Sequence, residues 1–206
     1  MKVYSVQQSN NCRRVNATIA YLGLDVELIE PSMQSGDLKK ADYLGLNPNG
    51  KVPTLVDDDL VLWESRAIMQ YLGSKKPGDF WPNDPKKQAD IARWQFWEAV
   101  HLSKGTGAFA FENLFKKIFM KQEADPAALK AGEKEFHTFA PVLNAQLEGK
   151  QWVTGDKLTV ADFSIGGCFS YAEASGLPWQ DYTHIRSWWA RLGEVPAWRT
   201  TAPKMG

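Results

Sequence analysis

In the first third of the chain, short apolar runs bounded by turn residues alternate with amphipathic stretches, the pattern of strands exchanged with helices. Lys2 to Val6 reads as a strand, Cys12 to Leu22 as a helix stopped by Gly23, and Val26 to Ile29 as a second strand, which together make a βαβ unit. A polar loop and the turn Asn47-Pro48-Asn49-Gly50 follow. Two strands, Thr54 to Val56 and Leu60 to Leu62, flank Asp57-Asp58-Asp59, a connector of hairpin length, and a helix runs from Glu64 or Ser65 to about Gly73. The segment from Lys75 to Pro85 carries Pro77, Pro82 and Pro85 and can continue neither a helix nor a central strand, which makes it a boundary. Beyond it the period changes: Ile91, Trp94 and His101, then Phe136, Phe139, Leu143 and Leu147, recur at helical spacing. The expected architecture is α/β plus all-α, with a βαβ-ββα domain over 1–76, a linker over 77–84 and an all-helical domain over 85–206.

The clearest helix start in the second domain is Leu158-Thr159-Val160-Ala161-Asp162-Phe163, where Thr159 can cap, Asp162 can accept the cap's backbone N–H, and Leu158 can pack on Phe163. Its role is structural, because it satisfies N–H groups that a buried helix start would otherwise orphan. With 44% hydrophobic and 23% charged residues over 206 positions, the chain is a globular one long enough to bury a core. Lys+Arg and Asp+Glu both number 24, which argues against a broad electrostatic grip on nucleic acid or an anionic membrane. No apolar run approaches the ~18 residues of a membrane span, and the N-terminus turns polar before a signal-peptide core can form, so a cytoplasmic location is expected. Cys12 and Cys168 allow at most one disulfide, and His101, His137 and His184 lack metal-ligand spacing, so no metal is expected. Nine tryptophans read as core and interface aromatics.

Three segments of the first domain carry polar groups that packing does not explain: the loop Gln7 to Asn11, the turn Asn49 to Thr54, and Glu64-Ser65. Pro53 opens a strand and removes one ladder donor there. A cis bond at this point would turn the backbone of Val52 outward, to pair with an extended peptide. The Ser65 hydroxyl and the positive end of its helix suit a ligand carboxylate, although an ordinary serine cap gives the same pattern.

These features describe a peptide with an anionic end, and the stretch Asn47-Pro48-Asn49-Gly50-Lys51-Val52-Pro53-Thr54-Leu55-Val56, with Leu62-Trp63-Glu64-Ser65-Arg66-Ala67-Ile68, resembles the glutathione-binding core of cytosolic glutathione transferases. Ser9-Asn10-Asn11-Cys12 resembles the serine loop of bacterial and theta- or delta-like members, and Gly155 to Asp162 resembles the family's C-terminal capping motif. The resemblance implies a thioredoxin-like first domain with cis Pro53, a helical second domain, and a cytoplasmic homodimer that takes glutathione and a small hydrophobic electrophile. By resemblance Val52 pairs with the cysteinyl part of glutathione, Glu64 and Ser65 hold the γ-glutamyl end, and Lys51 lies close. Lys39 or Lys40 pairs with the glycyl carboxylate, Arg66 serves the ligand or the dimer, and Glu98 reaches a neighbouring subunit's ligand.

Ser9, at the start of the first helix, is the expected donor to the thiolate, and Asn11 the second. Cys12 beside Arg13 and Arg14 offers a rival disulfide chemistry, but it lies three residues past the position used by the family's oxidoreductase-like members. His101, Thr106, Phe109 and Phe111 are the expected electrophile-pocket residues, with Gly105 and Gly107 loosening the backbone. Two alternatives stand beside a transferase. One is a glutathione-dependent oxidoreductase, peroxidase or dehalogenase. The other is a non-catalytic interaction module, as in elongation factor gamma subunits and stringent starvation protein A.

Overall fold

A computed structural model describes residues 1–204 of the chain and divides it into two compact units. The first runs Met1–Asn83 and includes a C-terminal segment from Val195; the second is Asp84–Glu194.

In the first unit, β1 (Lys2–Tyr4), α1 (Asn10–Leu22) and β2 (Glu27–Ile29) form the expected βαβ element, with β1 and β2 parallel. Ser9 starts α1 by accepting the Cys12 N–H at 3.3 Å, so the helix begins two residues earlier than expected, and Gly23 ends it at φ 60°, where a side chain would be strained. The stretch read as a polar loop holds a short helix, α2 (Ala41–Leu46), anchored by the buried Tyr43. Then come β3 (Thr54–Asp57), β4 (Leu60–Trp63) and α3 (Ser65–Lys75). Sheet order is β2-β1-β3-β4, with the last two pairings antiparallel and Tyr4 opposite Thr54. Val3 and Leu55 on the sheet, Val15 on α1, and Ile68, Met69 and Leu72 on α3 are wholly buried and form the core.

The sequence alone assigns the whole of 85–206 to the helical domain, whereas the segment from Val195 packs with the first unit. Its helix α9 (Pro196–Thr200) buries Trp198. The Arg13 guanidinium on α1 lies 4.0 Å from the centre of the Trp198 ring and donates to the Trp198 carbonyl at 3.2 Å.

The second unit opens on a continuous helical run: α4 (Pro85–Trp97), a π-helical turn (Glu98–Leu102), α5 (Ser103–Ala110), and a second π-helical stretch (Phe111–Met120). Helices α6 (Pro126–Gln146), α7 (Val160–Phe169) and α8 (Thr183–Gly193) complete it. Pro85 and Pro126 each take the first turn of a helix whose cap, Asp84 or Asp125, accepts a backbone N–H. Five of the nine tryptophans are buried, so most of the indole content is core. Gly105 does not loosen α5: a Cβ there would stand 2.6 Å from the Phe136 nitrogen, so its missing side chain lets α5 pack against α6.

Candidate functional site

The turn after α2 is fixed from beneath. The Asn47 Nδ2 donates to the Lys51 carbonyl at 2.8 Å and to Thr54 Oγ1 at 3.0 Å, while its Oδ1 accepts from the backbone and side chain of Asn49. The Tyr43 hydroxyl donates to the same Lys51 carbonyl at 2.6 Å, and burial pushes its phenol pKa up, which keeps it a donor. With the Lys51 carbonyl held inward, residues 51–53 are presented along the mouth of a pocket, and the Val52–Pro53 bond is cis.

That pocket has a volume of about 160 Å3. Its wall includes Lys51, Val52 and Pro53 from the turn, Glu64 and Ser65 from the start of α3, and Asn11 from the first turn of α1. Glu64 is a non-glycine residue at φ 72°, a conformation that costs on the order of 1–3 kcal/mol and aims the chain so that α3 starts at Ser65. Ser65 is 3% exposed and its hydroxyl donates to Asn11 Oδ1 at 3.4 Å. The positive end of α3 thus opens on a polar pocket, an arrangement suited to a carboxylate.

Ser9 does not line the pocket wall but caps α1 two residues from Asn11. Its oxygen is engaged by the Cys12 N–H, which leaves the hydroxyl hydrogen to donate. Lys40 pairs with Asp37 at 2.6 Å, whereas the Lys39 ammonium lies over Gly50, 2.9 Å from where a Cβ would stand, beside the pocket-lining Asn49 and Lys51. Asn47, Asn49 and Trp63 also line the pocket. Asn49 opens the turn Asn49 to Thr54 that the sequence already marks, whereas Asn47 and Trp63 carry no such signal on their own.

Cys12 is fully buried, its sulfur accepts the Val6 N–H, and burial pushes its thiol pKa up. Glu98 is equally buried and accepts from Ser164 at 2.8 Å and Cys168 at 3.1 Å, so its carboxylate is committed inside the helical unit. Of the four residues expected to contact an electrophile, Thr106 and Phe109 are buried, His101 packs its ring on Phe139 at 4.6 Å, and Phe111 is 46% exposed. Phe111 begins a π-helical stretch in which Ile118, Phe119 and Met120 are also exposed. No group of His, Cys, Asp and Glu able to hold a metal occurs among the described residues, and no described helix is long and apolar enough to cross a membrane.

Two family models match the chain: "Glutathione S-transferase, N-terminal domain" over residues 1–74 and "Glutathione S-transferase, C-terminal domain" over 108–196. A glutathione S-transferase of Hyoscyamus muticus is 32% identical over 203 residues, covering 96% of this chain and 95% of the relative. The Escherichia coli glutathione S-transferase GstB is 34% identical, covering 93% and 92%. The solved structure of glutathione S-transferase-I bound with lactoylglutathione superposes with a TM-score of 0.89 at 26% identity, covering 98% of this chain and 97% of that one. The chain, with its thioredoxin-like first unit and helical second unit, belongs to the glutathione S-transferase family and is an enzyme of that family.

Proposed function

We propose that this enzyme ionises the glutathione thiol at the start of α1 and transfers it to small hydrophobic electrophiles. The observation that carries this reading is the pocket that gathers Lys51, Val52, Pro53, Glu64 and Ser65 with Asn11 of α1, the helix that Ser9 caps. The similar glutathione S-transferase-I holds lactoylglutathione, which supports a glutathione derivative as occupant here. In this reading Val52 pairs its backbone with the cysteinyl unit, Glu64 and Ser65 hold the γ-glutamyl end, and Lys39 and Lys51 face the glycyl carboxylate. Ser9 donates to the sulfur, with Asn11 second, as in the serine-type members of the family.

A free thiol with a pKa near 8.5 is about 3% ionised at pH 7, and lowering the pKa to about 6.5 raises that about 25-fold. Nucleophilicity falls with basicity at a Brønsted slope of about 0.4–0.5, so ionisation alone leaves roughly threefold. The larger contribution comes from holding thiolate and electrophile together. Of the expected electrophile contacts, the exposed ring of Phe111 is the one against which we place the electrophile. A hydrophobic face of this kind discriminates modestly and admits a range of substrates.

Assembly as a homodimer in the cytosol completes the reading; Phe96, 66% exposed, and Val100 one turn later form an apolar strip suited to a second copy. The buried, protonated Cys12 weighs against a thiol oxidoreductase that works through this cysteine. The test is a rate series with a chlorinated nitrobenzene in the parent, Ser9→Ala, Asn11→Ala and Cys12→Ser, with glutathione affinity measured in parallel. A rate that falls in Ser9→Ala while affinity holds supports the assignment. Loss confined to Cys12→Ser, or a parent that binds no glutathione, rejects it.

A further inference from the structure

Between β2 and α2 the chain makes a closed loop, residues 32–37, that runs straight into Leu38 and Lys39. Asp37 clasps its two ends. The Asp37 Oδ2 accepts the Ser32 N–H at 2.8 Å, and the Asp37 N–H donates to the Ser32 carbonyl at 3.1 Å. Its Oδ1 accepts from the Lys40 ammonium at 2.6 Å and from the Ser35 hydroxyl at 2.7 Å. Lys40, Ser35 and the Ser32 N–H hold this carboxyl down at about 2, so it accepts in its charged form at neutral pH. Ser32, Met33, Gln34 and Ser35 are all exposed, so hydrogen bonds rather than side-chain packing close the loop.

The clasp ends where the glutathione pocket begins. Leu38 is buried, and its carbonyl oxygen and the Lys39 ammonium each lie 2.9 Å from where a Cβ on Gly50 would stand. The end of the loop is therefore seated directly on Gly50, whose chain neighbours Asn49 and Lys51 line the pocket. Lys39 is exposed and has no acidic partner among the described residues, whereas Lys40 is spent on Asp37. An ammonium on a flexible four-carbon stem that nothing pairs is aimed by where its backbone lies. For Lys39 that backbone follows the clasp by two residues.

We propose, resting on the assignment of Lys39 to the glycyl carboxylate, that Asp37 is a positioning residue for glutathione: by closing the 32–37 loop it sets Lys39 over Gly50, where the lysine meets that carboxylate. The glycyl end takes no part in the chemistry at sulfur, so the contribution of Asp37 falls on the KM for glutathione and spares kcat.

The probes are glutathione and its glycyl ethyl ester, which keeps the thiol and the γ-glutamyl end but lacks the terminal charge, each assayed with the same chlorinated nitrobenzene. The parent is expected to show a KM for the ester at least about fivefold above that for glutathione. Asp37→Ala is expected to raise the glutathione KM at least about threefold, within the range of an exposed ion pair, while kcat and the KM for the ester stay within about 1.5-fold. Asp37→Asn keeps an oxygen for the Ser32 N–H and is expected to hold the glutathione KM within about twofold of the parent. In a Lys39→Ala background, Asp37→Ala is expected to add no more than about 1.5-fold, because the two residues act through one contact. A glutathione KM unchanged in Asp37→Ala, an equal rise for the ester, or the full rise in the Lys39→Ala background overturns the positioning role alone. A parent that takes acid and ester equally overturns the Lys39 assignment and the positioning role with it.

Discussion

The two donors proposed for the glutathione sulfur, Ser9 and Asn11, differ in what already engages them. Ser9 accepts from the Cys12 N–H and keeps its hydroxyl hydrogen, while Asn11 Oδ1 accepts from Ser65 and the Asn11 amide nitrogen carries two N–H donors. The Ser65 hydroxyl therefore links the start of α3 to the first turn of α1. On binding, the Ser65 hydroxyl turns its single hydrogen from Asn11 to the ligand carboxylate, so Ser65→Ala is expected to raise the KM for glutathione about tenfold, the worth of a hydrogen bond to a charged group, with kcat within about threefold; an unchanged KM contradicts the carboxylate assignment. Cys12 behaves oppositely. Because burial holds its thiol protonated, it is expected to react with a disulfide reagent only on unfolding, and Cys12→Ser is expected to retain the transferase rate within about threefold. Rapid labelling of the native chain contradicts this. The residue types at the site were legible in the sequence because the Asn-Pro-Asn-Gly turn and the Glu-Ser pair are contiguous motifs. What the sequence did not carry was the choice between Lys39 and Lys40, since only the fold shows Lys40 spent on Asp37 and Lys39 turned over Gly50.

Among the elements, the start of α7 shows how far local chemistry reaches. Asp162 is wholly buried and accepts the Val153 and Thr159 N–H groups and the Trp188 indole, each at 2.9 Å, which extends the capping box across three segments. Burial outweighs these bonds and pushes its pKa up from 3.8 to about 6. Between those values the folded chain keeps a proton that the unfolded chain releases, so this group's contribution to stability falls as pH rises from about 4 to about 6, by up to about 3 kcal/mol, and is flat above. A carboxyl titration followed by NMR is expected to show a midpoint near 6, and Asp162→Asn is expected to remove this pH dependence and to cost about 1–3 kcal/mol through the orphaned Thr159 N–H; a midpoint below 4 contradicts the account. The box was readable because its partners are three residues apart. Helix α2 was not, because its six residues are held by Tyr43 reaching a carbonyl eight positions away. Gly105 was misread for a similar reason, its role depending on α6 rather than on its own helix.

At the scale of the whole molecule, the sequence announced the change from α/β to helical character through a proline cluster and a shift of period. The return of the C-terminal segment to the first unit escaped it, because that packing rests on Arg13 meeting Trp198 across 185 positions. The exposed Phe96 and Val100 make assembly testable: sedimentation of the parent is expected to give twice the chain mass of 23.2 kDa, and Phe96→Glu to lower it toward one chain. A parent that sediments as a single chain contradicts the dimer. The proposed electrophile contact is testable in the same enzyme, since Phe111→Ala is expected to raise the KM for a chlorinated nitrobenzene while leaving that for glutathione unchanged.

The central claim concerns the sulfur, and an ultraviolet titration of thiolate in the binary complex with glutathione tests it most directly. The expected inflection lies about two units below the free-thiol value of about 8.5, and Ser9→Ala moves it back up by about one to two units, the equivalent of one charge-assisted hydrogen bond. An inflection at the free-thiol value in the parent, or one that Ser9→Ala leaves in place, contradicts the account.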